Sequence, residues 1–214
     1  MKTNPGIVYL LDDEPGMLRA VGRLLRSEGF NVEAFSSVKS FLDACRPAEI
    51  CCLVLDVSMP ELDGMELHRR LTRAGILIPI VFLTGFGNIP MSVRAIKEGA
   101  VDFLTKPVND MDLLLAVRTA LKHAAEKHNE IAEAASLAKR YAILTPREQE
   151  VMSYVIAGKL NKQIAAHLGT GEQNIKIHRS RVFEKMSVDS VAGLVRAAQC
   201  LGIKPQDGTP GSRH

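Results

Sequence analysis

The chain has 214 residues, of which 46% are hydrophobic and 24% charged, so it can bury the cores of two small globular domains. No apolar run approaches the roughly 18 residues that cross a bilayer, and the first residues lack the apolar segment of a secretion signal, so we expect a cytoplasmic protein without a membrane partner. The four cysteines form no CxxC pair, which favours reduced core thiols over a metal or redox site.

Positive charge is concentrated toward the C-terminus. The formal net charge is −1 for residues 1–122, zero for 123–143, +4 for 144–204 and zero for 205–214. A basic excess in one segment suits a polyanion as the partner of that segment, although many small basic domains bind none.

The first 122 residues alternate short apolar runs, rich in β-branched residues, with longer segments of helical period. Such alternation predicts an α/β domain in which a five-stranded parallel sheet carries helices on both faces. In an open sheet of this kind the ligand site lies at the carboxyl ends of the strands. The predicted strands are residues 7–11, 31–35, 53–57, 78–83 and 101–104.

A long helix is predicted from Asp112 to about Tyr141, because this segment lacks Pro and Gly and is rich in Ala, Leu, Lys and Glu. Residues 123–143 of it form the predicted interdomain linker. A seven-residue repeat allows a signalling coiled coil, but a seam so rich in Ala, with one His, favours a helix that lies on its own domain. The repeat positions are Leu114, Val117, Leu121, Ala124, His128, Ile131, Ala135 and Ala138.

Residues 144–204 predict an all-α domain of four helices. Thr145 and Glu148 have the spacing of a capping box around Pro146, so the first helix begins there and is expected to run to Gly158. The later helices are a short one over 162–168 capped by Asn161, a longer one over 172–186 after the turn at Gly169-Thr170-Gly171, and a last one opened by Asp189 or Ser190. For residues 205–214, which are Gly, Pro and polar residues, we expect disorder.

Three carboxylates stand at predicted strand ends, where Asp12 and Asp13 close the first strand and Asp56 closes the third. Neighbouring parallel strands bring these groups to one edge of the sheet, and their mutual repulsion requires a cation. Mg²⁺ is the natural candidate, because it binds oxygen ligands and is typically held by one or two carboxylates plus a phosphate. Thr84 and Lys106 end strands four and five, so a hydroxyl and an ammonium join the carboxylates, as a phosphorylated carboxylate requires.

The helix over 172–186 has one apolar and one polar face. Ile175, Val182 and Met186 follow a helical spacing that predicts a buried face. A solvated polar face is the default interpretation of the opposite side, but the same pattern is typical of a recognition helix that presents side chains to the major groove of DNA. The residues of this face are Gln173, Lys176, Ile177, Ser180 and Arg181.

Two sets of motifs resemble known families. Those of the first domain resemble the receiver domain of two-component response regulators: Asp12-Asp13-Glu14, Asp56-Val57-Ser58-Met59-Pro60, Asp63-Gly64, Thr84-Gly85 and Lys106-Pro107. Those of the last domain resemble the LuxR-type helix-turn-helix: Leu144-Thr145-Pro146-Arg147-Glu148-Gln149-Glu150-Val151, Asn161-Lys162-Gln163-Ile164-Ala165, Ile175-Lys176-Ile177-His178 and Lys185. Together they indicate a NarL/FixJ-type regulator, which implies a CheY-like, flavodoxin-like receiver with strand order 2-1-3-4-5.

The receiver resemblance assigns roles at the acidic pocket. Asp56 is implied as the phosphoacceptor, which takes its phosphoryl group from a phosphohistidine of a sensor histidine kinase. Asp13, Asp56 and the backbone carbonyl of Ser58 are implied as Mg²⁺ ligands, and Asp12 is implied to act through a bound water. A protein of this kind modifies itself and is not otherwise an enzyme, because in-line phosphoryl transfer asks mostly for positioning and charge neutralisation.

The same resemblance implies a switch next to the phosphoacceptor. Lys106 pairs with the phosphoryl group, and the bond between Lys106 and Pro107 is expected to be cis. Thr84 hydrogen-bonds the phosphate, and Phe103 is the aromatic residue that turns inward with it, although the residue pattern alone fits an ordinary core aromatic equally well.

The helix-turn-helix resemblance implies DNA contacts. Base contacts fall to Lys176, Ile177 and Ser180, and phosphate contacts fall to Lys162, His178 and Arg179. The expected partners are a promoter with two half-sites, RNA polymerase and, after phosphorylation, a second copy of the chain.

Four residues depart from the usual patterns of the two families. In the receiver motifs, Phe86 and Asn88 stand where His and Asp are more common. In the helix-turn-helix, Gly171 replaces a Ser cap, and Asn174 replaces a Thr.

These observations predict a transcription regulator that is activated by phosphorylation. One alternative is a Mg²⁺-dependent aspartyl-phosphate hydrolase, but such enzymes place a general acid two residues after the nucleophile, and here Ser58 holds that position after Asp56. Another alternative is an adaptor that contacts RNA polymerase without binding DNA, which a mobility shift with genomic fragments distinguishes from a DNA-binding protein.

Overall fold

The computed structural model of the chain describes residues 6–46, 49–60, 62–85 and 89–206. The chain divides into two compact units, one ending at Asn129 and the other beginning at Glu130. Among the described residues, no helix is both long enough and apolar enough to cross a membrane.

The first unit contains a parallel sheet of five strands in the order β2-β1-β3-β4-β5. This order and the alternation of strands and helices confirm the predicted α/β class. The strands are β1 (Ile7–Leu11), β2 (Asn31–Phe35), β3 (Cys51–Asp56), β4 (Ile80–Thr84) and β5 (Asp102–Thr105).

Three of the strands begin or end one or two residues away from their predicted bounds. Strand β3 begins earlier because Cys51 and Cys52 pair with Ile7 and Val8 of β1. Both thiols are buried and free, as predicted, and burial raises the pKa of Cys51 to about 12. Strand β4 begins later than predicted, at the residue that follows Pro79, which has no N–H to donate to the sheet.

Helices cover both faces of the sheet. One core contains Tyr9 and Phe82 together with residues of the three helices α2, α3 and α4. The other contains Leu10 and Val54 together with residues of α1 and α5. The bounds are α1 (Pro15–Ser27), α2 (Val38–Ala44), α3 (Gly64–Arg73), α4 (Ile89–Lys97) and α5 (Asp110–Ala142).

Helix α5 is a single helix of 33 residues and includes the predicted linker. In the first half of its seven-residue repeat, Leu114, Val117 and Leu121 belong to or pack against the core that contains Leu10 and Val54, and Ala124 is buried. The second half, which includes Ile131 and Ala135, is exposed. The first half therefore follows the interpretation favoured above, a helix that lies on its own domain.

The second unit has four helices after α5, as predicted: α6 (Pro146–Ile156), α7 (Asn161–Leu168), α8 (Glu172–Met186) and α9 (Val191–Cys200). The capping box of Thr145 and Glu148 is present, Gly171 is the N-cap of α8, and Ser190 caps α9. Helix α6 ends before Gly158, which adopts a left-handed backbone conformation with φ of 77°.

The start of α7 differs from the prediction. Asn161 is the first helical residue and not the cap, because the side chain of Gln163 accepts a hydrogen bond from the Leu160 amide and thereby caps the helix instead. Disorder is predicted for residues 205–214, but the amide of Gln206 donates a hydrogen bond to the Ser153 carbonyl. Residues 207–214 lie outside the described part of the chain.

The core of the second unit is built by residues from all of its helices. Val151, Ile164, Val182 and Leu194 are fully buried in it. Leu137 of α5 belongs to the same core. The last turns of α5 are therefore an integral part of this unit.

Candidate functional site

The site begins where strands β1 and β3 end at the same edge of the sheet. Leu11 pairs with Leu55, so Asp12 and Asp56, the residues that follow them, stand next to one another. Both carboxylates are buried, although such groups are normally exposed unless they have partners. The structure therefore brings together the acidic residues that the sequence placed at strand ends.

Lys106 provides the positive charge for this acidic pair. Its Nζ lies 2.7 Å from Asp12 Oδ2 and 3.1 Å from Asp56 Oδ2. Burial raises the pKa of Asp12, although the hydrogen bonds from Lys106 and from the Glu14 amide act in the opposite sense. Burial alone would lower the pKa of Lys106, but its hydrogen bonds to Asp12 and Asp56 outweigh that effect and raise it.

A third carboxylate, that of Asp13, completes a group that could hold a metal ion. Ligand atoms of Asp12, Asp13 and Asp56 all lie within 4.8 Å of one another. Asp13 is exposed, so this group of three carboxylates is open to solvent on one side. One ammonium group among three carboxylates leaves an excess of negative charge, and a hard divalent cation with oxygen ligands fits that excess.

The loop after β3 is held close to Asp56. The amide of Ser58 donates to Asp56 Oδ1 at 3.3 Å. Asp63 caps helix α3 by accepting from the amides of Met65 and Glu66. Gly64 allows the helix to start directly against the strand, because a Cβ atom there would lie 2.5 Å from the Asp56 carbonyl oxygen.

The predicted switch residues lie on the neighbouring strands. Thr84, at the carboxyl end of β4, is buried, and its carbonyl accepts a hydrogen bond from the Lys106 amide at 2.7 Å. Phe103 on β5 is half-buried, with its ring 6.1 Å from that of Phe82. The peptide bond between Lys106 and Pro107 is cis, as predicted. Phe86 and Asn88, the departures from the usual receiver pattern, lie outside the described residues.

The second group of predicted site residues lies in the second unit, on α8. Ile175, Val182 and Met186 are buried, which confirms the predicted apolar face. Ile177, one of the predicted residues of the opposite face, is 44% exposed. The other predicted residues of this face are also exposed: Gln173, Lys176, Ser180 and Arg181.

The residues predicted to contact phosphates differ from one another in exposure and in hydrogen-bond partners. Lys162 is exposed in the first turn of α7. His178 is half-buried, and its Nδ1 has no hydrogen-bond partner within the described ranges. Arg179 donates to Asn161 Oδ1 at 3.2 Å and lies over the ring of Phe183.

One ion pair of the second unit was not assigned a role by the sequence. Lys185 of α8 lies 2.6 Å from Glu148 of α6, whose carboxylate also accepts from the Thr145 amide. Burial would raise the pKa of Glu148, but Lys185 and Thr145 outweigh it and lower the pKa. The two residues are 37 positions apart, so no local sequence signal connects them.

Comparison with family models gives two matches. Residues 8–118 match the response regulator receiver domain, and residues 142–198 match the bacterial regulatory proteins of the luxR family.

Curated relatives are similar over almost the whole chain. The response regulator protein TodT of Pseudomonas putida is 43% identical over 201 residues, which cover 94% of this chain and 88% of TodT. Nodulation protein W of Bradyrhizobium diazoefficiens is 44% identical, over 92% of this chain and 87% of that protein. The transcriptional regulatory protein FixJ of the same organism is 39% identical, over 94% and 98%.

Solved structures give a consistent result. The response regulator StyR superposes with a TM-score of 0.80 at 41% identity, over 90% of this chain and 98% of StyR. Full-length FixJ from B. japonicum superposes with a TM-score of 0.56 at 38% identity, over 94% and 99%.

Proposed function

Because the chain belongs to the response regulators of the NarL/FixJ type, with a receiver domain followed by a LuxR-type DNA-binding domain, we propose that phosphorylation of Asp56 controls its binding to DNA. The observation that carries this proposal is the position of Lys106, whose ammonium lies within 3.1 Å of both Asp12 and Asp56. Because Lys106 already lies beside both buried carboxylates, its ammonium can also pair with a phosphoryl group that is attached to one of them.

In the proposed reaction a carboxylate oxygen of Asp56 attacks the phosphorus of a phosphohistidine on a sensor histidine kinase. A P–O bond to Asp56 forms as the P–N bond to the histidine breaks, and the histidine nitrogen leaves with the bonding electron pair and takes up a proton from water to give neutral imidazole. Lys106 then pairs with the new phosphoryl oxygens, which carry more negative charge than the carboxylate did. Positioning and charge neutralisation are the main demands of such a transfer.

We assign the metal site to Asp13, Asp56 and the carbonyl of Ser58, with Asp12 acting through a bound water and Mg²⁺ as the ion. The excess of three carboxylates over one ammonium in this pocket supports the assignment. When bound, Mg²⁺ neutralises the carboxylates and the oxygens of the incoming phosphoryl group. Asp12 would also orient the Lys106 ammonium, because its Oδ2 accepts a hydrogen bond from Lys106.

The proposed switch consists of Thr84 and Phe103. The Thr84 side chain would hydrogen-bond the phosphoryl group, and Phe103 would fill the space that Thr84 leaves. Phe103 contributes to a groove that Val93 and Ile96 of α4 also line, and these two side chains are 46% and 48% exposed. A movement of Phe103 would therefore change the shape of an exposed apolar surface.

We propose that this surface of α4 and β5 pairs with a second copy of the chain after phosphorylation, so that two DNA-binding domains reach two half-sites. Sedimentation velocity of the full chain, with and without a small-molecule phosphodonor and Mg²⁺, checks this prediction. The expected result is a shift from monomer to dimer. A chain that remains a monomer while its DNA affinity rises would instead point to release of an inhibited DNA-binding domain.

For DNA we propose that α8 enters the major groove. Lys176, Ile177 and Ser180 would contact bases, because they share the exposed face of this helix. Gln173 and Arg181 are exposed on the same face, and Lys162 and His178 would contact phosphates. RNA polymerase is the proposed third partner, which a transcription regulator contacts at the promoter.

Phosphorylation is tested by incubating the full chain with acetyl phosphate and Mg²⁺ and measuring its intact mass. We expect wild type to gain one phosphoryl group, as an acyl phosphate that survives acid and is lost in base, and Asp56→Ala to gain none. The matched control is Asp43→Ala, which removes an exposed carboxylate at the end of α2 and leaves labelling unchanged. Labelling of Asp56→Ala to the wild-type extent shows that another residue is the phosphoacceptor.

A further inference from the structure

Arg179 of α8 makes two contacts inside the helix-turn-helix. Its Nη1 donates to Asn161 Oδ1, 3.2 Å away at the start of α7. Its guanidinium carbon lies 5.7 Å from the centroid of the Phe183 ring, one turn further along the same helix. The side chain is half-buried, whereas Lys176 and Arg181 of the same helix are exposed. Arg179 thus has partners within the second unit, as Lys185 does further along the same helix.

The partner of Arg179 on α7 is available because Asn161 does not cap its own helix. The cap residue is Leu160, and the Leu160 amide donates to Gln163 Oε1 at 2.8 Å. Asn usually serves as a cap by accepting from backbone amides. Here its amide oxygen instead accepts from another helix, which ties the first turn of α7 to the middle of α8.

The ring of Phe183 limits where the guanidinium can lie. A flat guanidinium over an aromatic face is held by cation–π attraction, and its fork of N–H groups then points in a fixed direction. Lys162, the predicted phosphate contact, follows Asn161 in the same turn of α7. Lys176, a predicted base contact, lies on α8. The bridge from Arg179 to Asn161 therefore adds to the apolar packing of α7 against α8 in fixing the predicted phosphate contact relative to the predicted base contact.

We propose that Arg179 is a positioning residue for DNA recognition, which fixes α7 against α8 through Asn161 and Phe183, and that it is not a phosphate contact. The inference rests on the proposed function, since it concerns how the helix-turn-helix meets DNA. It also replaces the phosphate role that the family resemblance implies for this residue.

Salt dependence separates the two roles, because each phosphate contact contributes about 0.9 to the slope of log affinity against log salt concentration. The protein is the full chain with acetyl phosphate and Mg²⁺, and the probe is a short duplex that wild type selects from a random pool. The variants are Arg179→Gln, Asn161→Ala and the double variant. Lys162→Gln is the matched control for the loss of one phosphate contact. Each variant is assayed below its own unfolding temperature.

For Arg179→Gln we expect a loss of about 3- to 10-fold in affinity, the scale of one hydrogen bond, with the wild-type salt slope retained. Asn161→Ala, which removes no charge, should show a similar loss, and the double variant should bind no worse than Arg179→Gln alone. Lys162→Gln should lower the slope by about 0.9.

A slope lowered by about 0.9 in Arg179→Gln, or losses that simply add in the double variant, overturns the proposal. Wild-type affinity in Asn161→Ala also overturns it. If wild type binds no duplex at all, the proposed function itself fails and this inference falls with it, so the two failures are distinguishable.

Discussion

At the scale of single residues, the position of Asp56, the proposed phosphoacceptor, depends on how close the backbone of α3 comes to β3. The Gly64 amide donates to the Val57 carbonyl at 2.9 Å, and a Cβ atom of residue 64 would lie only 2.5 Å from the Asp56 carbonyl oxygen. The obstacle is backbone, which cannot rotate away as a side chain can. A methyl group at this position therefore forces α3 or the end of β3 to move.

We expect Gly64→Ala to lower the free energy of unfolding of the first unit by about 1–3 kcal/mol, the usual range for overpacking, and to slow phosphorylation of Asp56. Urea unfolding and the rate of mass gain with acetyl phosphate check the two effects. Gly16→Ala in α1 is the control, because a Cβ atom there meets only the Glu14 side chain, at 3.7 Å. Alanine should be neutral or stabilising at that helical position. Equal stability of Gly64→Ala and wild type would contradict the account.

The members of the acidic pocket could be predicted from the sequence because each ends a strand, and parallel strands bring their carboxyl ends to one edge. The sharing of Lys106 between Asp12 and Asp56 could not, because it depends on where a long side chain comes to rest. The bridge between Arg179 and Asn161 was missed for a related reason. An Asn before a short helix is an ordinary cap, and only the packed helices show that its oxygen accepts from elsewhere.

At the scale of secondary-structure elements, α6 and α8 are joined by a buried ion pair. Glu148 is 1% exposed and Lys185 lies 2.6 Å from it. When a partner is removed, a buried charge loses its compensation, which usually costs more than the intact pair contributes. The pair therefore fixes where the C-terminal half of α8 lies against α6.

We expect Lys185→Met to destabilise the second unit at neutral pH, toward the lower end of the about 3–5 kcal/mol typical of a broken buried pair, because Lys185 itself is partly exposed. The pKa of Glu148 is lowered in the folded chain, so its contribution is complete above its ordinary value of 4.5 and is lost as the pH falls through the folded value. The deficit of Lys185→Met should accordingly shrink below pH 4.5.

Thermal unfolding of both proteins across a pH series measures this change. Lys176→Met serves as the control, since it removes an exposed lysine from the same helix. A deficit that stays constant below pH 4.5 would mean that the carboxylate of Glu148 is not the group that Lys185 stabilises.

Helix periods and capping residues predicted nearly all of the elements, because each signal lies within one segment of the chain. Element ends were less accurate: Cys51 extends β3 because a buried thiol behaves as a small apolar residue, and α6 stops before Gly158. The end of α5 was predicted to within about one residue, at Tyr141 against the observed Ala142, but the segment itself does not show which core its last turns join. Leu137 is buried in the core of the second unit, and Arg140 donates to the Met186 carbonyl, so these turns are ordered by residues far along the chain.

At the scale of the whole molecule, the two units carry different charge and different chemistry. The first 122 residues have a formal net charge of −1 and hold the acidic pocket, whereas residues 144–204 have a net charge of +4 and hold the exposed face of α8. A basic domain attracts DNA without regard to sequence, and this attraction is strongly salt-dependent. The proposed control requires that phosphorylation in the first unit change the DNA affinity of the second.

For Asp56 to control DNA binding as proposed, a phosphoryl group on it must stabilise the DNA-binding state. To move the chain from about 1% to about 99% active, the phosphoryl group must favour the active state by about 5.5 kcal/mol. The groups proposed to contact it are the Lys106 ammonium, the Thr84 hydroxyl and the bound cation, and charge-assisted contacts of this kind are among the strong ones. The apparent affinity for DNA should then rise by up to about 100-fold.

The most direct test measures the dissociation constant of the full chain for its selected duplex at one fixed salt concentration, with and without acetyl phosphate and Mg²⁺, for wild type and for Asp56→Ala. We expect the phosphodonor to tighten binding by wild type between about 10- and 100-fold and to leave Asp56→Ala unchanged. Equal affinity of wild type with and without the donor, despite a complete phosphoryl mass gain, or an equal response of Asp56→Ala, would contradict control of DNA binding by Asp56.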